Sequence, residues 1–154
     1  MADDPGRDPL HVVFPVTDRP DSPALDVVAD LLQRQCWVMG PWAQERDRLR
    51  AGDRICIYVG RKGVVADAVA ASPPTRGVVP SRRDLSRYPW SIALREVCTY
   101  FDQPVVVDES LRSTLDAFVG RDLSRPWGWF VKRPRIVSRH DFDALTMRSP
   151  GIRR

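Results

Sequence analysis

The chain of 154 residues has the length of one ordinary domain, at which roughly 70% of the unfolded surface is buried on folding, so a single hydrophobic core is expected. Its 43% hydrophobic content contains no apolar run near ~18 residues, which excludes a membrane-spanning helix; the acidic start lacks the basic and apolar regions of a signal peptide, so a cytoplasmic location without a membrane partner is expected. The net charge of +4 is uneven: the first thirty residues carry seven Asp against Arg7 and Arg19, a sum of −5 that leaves +9 for the remainder.

Residues 1–9, rich in Asp, Gly and Pro, read as a disordered end, residues 10–148 as one domain, and residues 149–154 as a flexible basic tail. His11 to Val16 (HVVFPV) suits a buried strand, closed by the Pro and Asp of Thr17 to Pro23. Ser22 is placed as an N-cap with Pro23 at the first helical position, and Leu25, Val28, Leu31 and Leu32 follow at helical spacing. Pro41 opens a short helix through Gln44 to Leu49, and Ala51-Gly52-Asp53 turns the chain into Arg54 to Gly60, a strand apolar on both faces and therefore central. Arg61-Lys62-Gly63 joins it to Val64 to Ala71 as a β-hairpin, with Gly63 where positive φ is needed. Ser72 to Ser86 is a long loop of the kind that carries function.

Trp90 to Tyr100 reads as a long strand, continued past Pro104 by Val105 to Val107. Asp108 to Phe118 has helical period, with Leu111, Leu115 and Phe118 on one face. Trp127 to Val131 is the last strand expected, and Ser138 with Asp141 forms a capping box for a terminal helix through Phe142 and Leu145. No βαβ rhythm and no repeat is present. The order predicts an α+β fold, a small mixed β-barrel flanked by helices, over a doubly wound sheet.

Chemistry-bearing signatures are sparse. Cys36, Cys56 and Cys98 are odd in number and widely spaced, which argues for free thiols and against a disulfide framework or a zinc site. Only His11 and His140 are present, and neither a nucleophile signature, a Gly-rich phosphate loop nor a deaminase pattern appears. No catalytic residue, metal or cofactor is expected. Arg supplies 22 of the 24 basic residues, and a guanidinium both forks onto phosphate and stacks on a base. That bias fits a nucleic-acid partner and equally a general preference for Arg codons.

Three blocks carry a resemblance. The first is Cys36-Trp37, then Trp42 to Arg46, then Leu49-Arg50-Ala51-Gly52-Asp53-Arg54 running into ICIYVG. The second is Trp90-Ser91 with Leu94, Glu96, Val97 and Pro104. The third is Trp127-Gly128-Trp129-Phe130 with Arg135-Ile136 and Asp141-Phe142. In this order and spacing they resemble EVE domains, relatives of the YTH and ASCH groups in the PUA-like superfamily, over Val12 to Leu145.

The resemblance implies a PUA-like barrel and a non-catalytic nucleic-acid-binding module that holds a flipped, modified (for example methylated) base of DNA or RNA in an aromatic cage. It points to Trp37, Trp90 and Trp127 as cage walls, each of which has a core-packing role as its alternative. Tyr58 and Thr17 are candidates to offer hydroxyls, against packing and turn roles respectively. Met39 and Gly40 stand where one branch of the family has a polar Arg and Asn, and an adaptable Met suits a methyl group. Arg61, Lys62, Arg76, Arg82, Arg83, Arg87, Lys132, Arg133 and Arg135, all at loops or strand ends, are the candidates for phosphate contact. Two other readings stand beside this one: an ASCH-like hydrolase of a modified nucleoside, and a PUA-like module that binds a small molecule or a protein.

Overall fold

A computed structural model of the chain describes residues 7–20, 22–40, 47–77, 79 and 85–146. Seven strands form one sheet: β1 (His11–Val16), β2 (Cys36–Met39), β3 (Arg54–Val59), β4 (Gly63–Ala70), β5 (Thr75–Arg76), β6 (Trp90–Thr99) and β7 (Arg135–Val137). The order across the sheet is β2-β6-β4-β3-β1-β7, with β5 also paired to β6. Helix α1 (Ala24–Gln33) lies against one face, and α2 (Glu109–Arg112) and α3 (Arg139–Thr146) accompany the other. The architecture is α+β, but the curled sheet is an open half-barrel rather than the closed barrel expected. Its ends, β2 and β7, do not pair with each other. Among the described residues no helix is long and apolar enough to cross a membrane.

β1 and β3 run parallel, so no hairpin sets their register. That task falls to Asp53. Its fully buried carboxylate accepts Leu10 N–H at 2.9 Å and Arg50 N–H at 2.8 Å, and Arg7 forks onto both its oxygens at 2.9 Å. Arg54 N–H then donates to the Leu10 carbonyl at 2.9 Å, and the ladder proceeds from His11 opposite Arg54 to Val16 opposite Val59. The stretch expected to be a loose end is thus tied to the fold at Arg7.

β3 is central, as its two-sided apolar pattern requires: Ile55, Ile57 and Val59 face one core while Cys56 and Tyr58 face the other. The hairpin to β4 turns at Gly63, whose φ is +123° and where a Cβ would collide with the Val105 carbonyl. β6 bends in its middle. Val69 pairs with Arg95 and Asp67 with Cys98, so Glu96 and Val97 together oppose Ala68, a bulge with Glu96 at φ +52°. The bend lets the first half of β6 run between β2 and β5, and the second half alongside β4.

Four local expectations are corrected. Ser22 does not cap α1. Pro23 occupies the N-cap position and the Asp18 carboxylate accepts Ala24 N–H at 2.8 Å instead. The single helix expected over Asp108 to Phe118 is broken into α2 and a 3-10 turn at Asp116–Phe118. Ser113 and Thr114 hydroxyls bond back to the Ser110 and Leu111 carbonyls, and Asp141 of α3 takes the N–H groups of Asp116 and Ala117, so the second turn is capped afresh. Trp127 to Val131 is not a strand; Gly128–Phe130 forms a 3-10 turn that buries Phe130, and the sheet is joined instead by β7. Val105 contributes one bridge to Val64 rather than a continued strand. The helix expected from Pro41 falls mostly on residues outside those described.

Replacing Asp53 with Asn is expected to destabilise the fold by about 3 kcal/mol or more, because buried donors lose a charged acceptor. Arg7→Ala, at a partly exposed partner, is expected to cost only about 1 kcal/mol; equal shifts of the two urea midpoints would contradict this. A pH dependence follows from His11. Burial, and then the Arg54 charge, hold its pKa below 6.5. Its contribution to stability is therefore complete above pH 6.5 and is lost as the pH falls through its lowered value. Exposed His140 runs the other way, since the Thr114 carbonyl and then Asp116 raise its pKa. Urea unfolding from pH 7.5 down to about 5.5 is expected to show a loss of stability that His11→Asn diminishes.

Candidate nucleic-acid interface

The two cores divide the aromatic residues. One core, between α1 and the sheet, contains Trp37 and Met39, with Trp90 and Tyr88 packed against it. The other contains Tyr58, with Trp127 and Trp129 packed against it. Of the residues expected in the pocket, Trp37, Met39, Gly40 and Trp90 therefore come together at the β2–β6 pair, while Tyr58 and Trp127 meet edge-on at 6.1 Å in the second core. Thr17 is exposed just beyond β1, beside Gly60.

At the β2–β6 end, Trp90 stands opposite Met39 on one side and Arg76 on the other, so three neighbouring strands place a thioether, an indole and a guanidinium in one row. The Arg76 guanidinium lies 5.8 Å from the Trp90 ring centre. Tyr88, two residues earlier, carries a second such pair: Arg19 donates to its hydroxyl at 2.8 Å and sits 5.9 Å from its ring. Trp90 and Tyr88 are half-buried, whereas Trp37 is 4% exposed and tilted against Phe14 at 6.2 Å. A cation beside an aromatic face is held with its N–H groups pointing outward, which prepares them for phosphate.

The basic residues expected to touch phosphate do not form one group along the chain's sheet. Arg76 and Arg87 are exposed at the β5–β6 end, and Gly40 faces the Arg87 carbonyl. Arg61 and Lys62 are exposed at the β3–β4 turn, and Lys132 and Arg133 are exposed ahead of β7. Arg135 is partly buried and donates to the Trp129 carbonyl at 3.1 Å. Arg82 and Arg83 lie outside the described residues.

Sequence reasoning missed two arrangements. Arg19 with Tyr88 joins residues far apart in the chain, and no spacing rule connects them. Trp129, outside the residues expected in the pocket, holds Arg121 at 3.9 Å and Arg135 at 5.1 Å from its ring while also packing on Phe118 and Phe130. Asp116, His140 and Asp141 bring one potential ligand atom each within 4.8 Å. Their atoms are already engaged, since Asp141 caps the 3-10 turn, Ser138 donates to Asp116, and His140 Nε2 meets the Thr114 carbonyl at 2.9 Å. The three cysteines are free thiols.

No protein-family model matches the chain, and no curated protein matches its sequence. Solved structures do match. The Mmi1 YTH domain superposes with a TM-score of 0.54 at 8% identity, over 88% of this chain and 91% of that one. A hypothetical protein from Leishmania major gives 0.49 at 14% identity, over 88% and 90%. A complex of the YTH domain-containing protein mmi1 with RNA gives 0.44 at 11% identity; the match spans 60% of this chain and 58% of that one, little more than half its length. At such identities the likeness is one of fold. The open α+β half-barrel is similar in fold to the Mmi1 YTH domain.

The burial contrast between the two indoles yields a stability test. Trp37→Ala is expected to cost about 3–5 kcal/mol, and Trp90→Ala about 1 kcal/mol. Denaturant unfolding of both variants checks this, and a larger loss for Trp90→Ala would contradict it.

Proposed function

We propose that the chain is an EVE-type, non-catalytic reader that binds single-stranded or locally opened nucleic acid and stacks one flipped, methylated base against Trp90. The observation that carries the reading is the Met39, Trp90 and Arg76 row beside the Tyr88 and Arg19 pair, two half-buried aromatic rings each accompanied by a guanidinium. Taking a base out of its stack costs a few kcal/mol, and each aromatic partner returns about 1–3 kcal/mol. Trp90 and Tyr88 together are of the size needed to balance that cost. Met39 is buried in the core beside Trp90, so the methyl group packs on the Trp90 ring, and its burial adds roughly 0.8 kcal/mol. Arg76 and Arg19 take the phosphates on either side of the stacked base, and the +9 charge beyond the first thirty residues favours the encounter. The fold supports the reading by analogy: the Mmi1 protein, whose YTH domain it resembles, is known in complex with RNA.

The test is a panel of RNA and DNA oligonucleotides that differ only in one methylated base, titrated at two salt concentrations. Wild-type protein is expected to prefer one methylated base and to weaken steeply with salt. Trp90→Ala should reduce affinity for that base by roughly tenfold to a hundredfold and abolish the preference. Arg76→Ala should weaken methylated and unmodified strands alike and flatten the salt dependence. No binding at low salt, or an unchanged preference in Trp90→Ala, would sink the reading.

A further inference from the structure

The second core holds a charge that no carboxylate among the described residues neutralises. Arg112, the last residue of α2, is 9% exposed. Its Nη1 donates to the Val107 carbonyl at 2.7 Å, which pins the segment between β6 and α2. Its Nε is buried without a hydrogen-bond partner, and among the described residues no carboxylate pairs with it. A buried cation in that condition is unfavourable unless an anion shares the site. Asp108, one helical turn before Arg112, spends its carboxylate on the Leu111 N–H as the cap of α2.

The guanidinium is bordered by aromatic side chains. The guanidinium lies 4.5 Å from the centre of the Trp127 ring, and the Tyr58 ring meets that indole edge-on. Burial pushes the Tyr58 phenol pKa up against the pull of the Arg112 charge, which leaves the hydroxyl a neutral donor at pH 7. Trp127 is only half-buried, and it ends an exposed segment that carries Arg121 and Arg125. With Nη1 given to the Val107 carbonyl, the edge left without a partner is the one formed by the buried Nε and Nη2, two parallel N–H groups whose spacing matches two oxygens of a phosphate.

We propose that Arg112, Tyr58 and Trp127 form a phosphate-binding site, in which the Nε and Nη2 edge of Arg112 takes two phosphate oxygens, the Tyr58 hydroxyl donates to a third, and the Trp127 ring closes over them. The site belongs to the core opposite Trp90 and stands independently of the reader function. A strand end and a free nucleotide both present such a phosphate.

The experiment is an NMR titration of the wild-type chain, following the Arg112 Nε–H and the Trp127 indole N–H, with inorganic phosphate against chloride at matched ionic strength. Saturable shifts of both signals with phosphate and not with chloride are expected. Tyr58→Phe is expected to weaken phosphate about threefold or more, and Arg112→Met to abolish the effect wherever it remains folded by circular dichroism. Adenosine 5′-monophosphate and oligonucleotides with and without a 5′-phosphate then separate the two sources of phosphate by which binds tighter. Equal responses to phosphate and chloride, or full retention of phosphate binding in a folded Arg112→Met, would overturn the proposal. The wild-type titration decides the matter if Arg112→Met does not fold.

Discussion

The carboxylate of Asp53 collects donors from two stretches of chain at the one place where two strands must lie parallel without a local connection. Leu10 and Arg50 donate backbone N–H groups, and Arg7 adds a two-pronged ion pair. Its own carbonyl accepts Ala70 N–H at 2.7 Å, so the end of β4 is drawn to the same point. A one-residue slip of β1 against β3 would reverse which face receives Val12, Val13 and Phe14. The carboxylate has only one position from which it reaches Leu10, and that position is the correct register.

Because the register is fixed, so is the division into two cores. Val12, Phe14, Ile55 and Ile57 look toward α1, and Val13, Cys56 and Tyr58 toward α2 and α3. The aromatic residues follow the same alternation, which is why four of the indole and phenol groups expected to share one cage end on opposite sides of the sheet. Trp37 and Trp90 belong with β2 and β6. Tyr58 and Trp127 belong with the C-terminal half, where the Asp141 carboxylate joins α3 to the 3-10 turn. The bulge at Glu96 and Val97 completes the division, since it turns the start of β6 away to pair with β2 and β5 and exposes the row that includes Trp90 and Arg76.

What the sequence disclosed was whatever a local rule controls. β1, β3, β4 and α1 follow from apolar period and bounding Pro and Gly, and Gly63 from the demand of its turn. β2 escaped because Cys36 to Met39 is four residues long, too short for a period to register. The Asp108 to Phe118 helix was overridden by contacts from Ser113, Thr114 and Asp141 that no helical pattern encodes. Trp127 to Phe130 is rich in aromatic residues, which favours a strand reading, yet it has Phe130 inside and Trp129 between two arginines. For the site, the resemblance placed Trp37 and Trp90 in one cage, but the pairing that brings them together was not legible, since it joins two strands separated by fifty residues of sequence. Arg112 gave no signal at all. In a sequence with 22 arginines, nothing distinguishes the one that is buried among the described residues.

The indole N–H signals of the five tryptophans provide the most direct measurement of this division. During titration with the preferred methylated oligonucleotide, the Trp90 signal is expected to shift most strongly and Trp37 to follow through Met39. A Trp90 and Trp37 pair that stays in place while Trp127 and Trp129 move would contradict the assignment of the base to the β2–β6 end of the sheet.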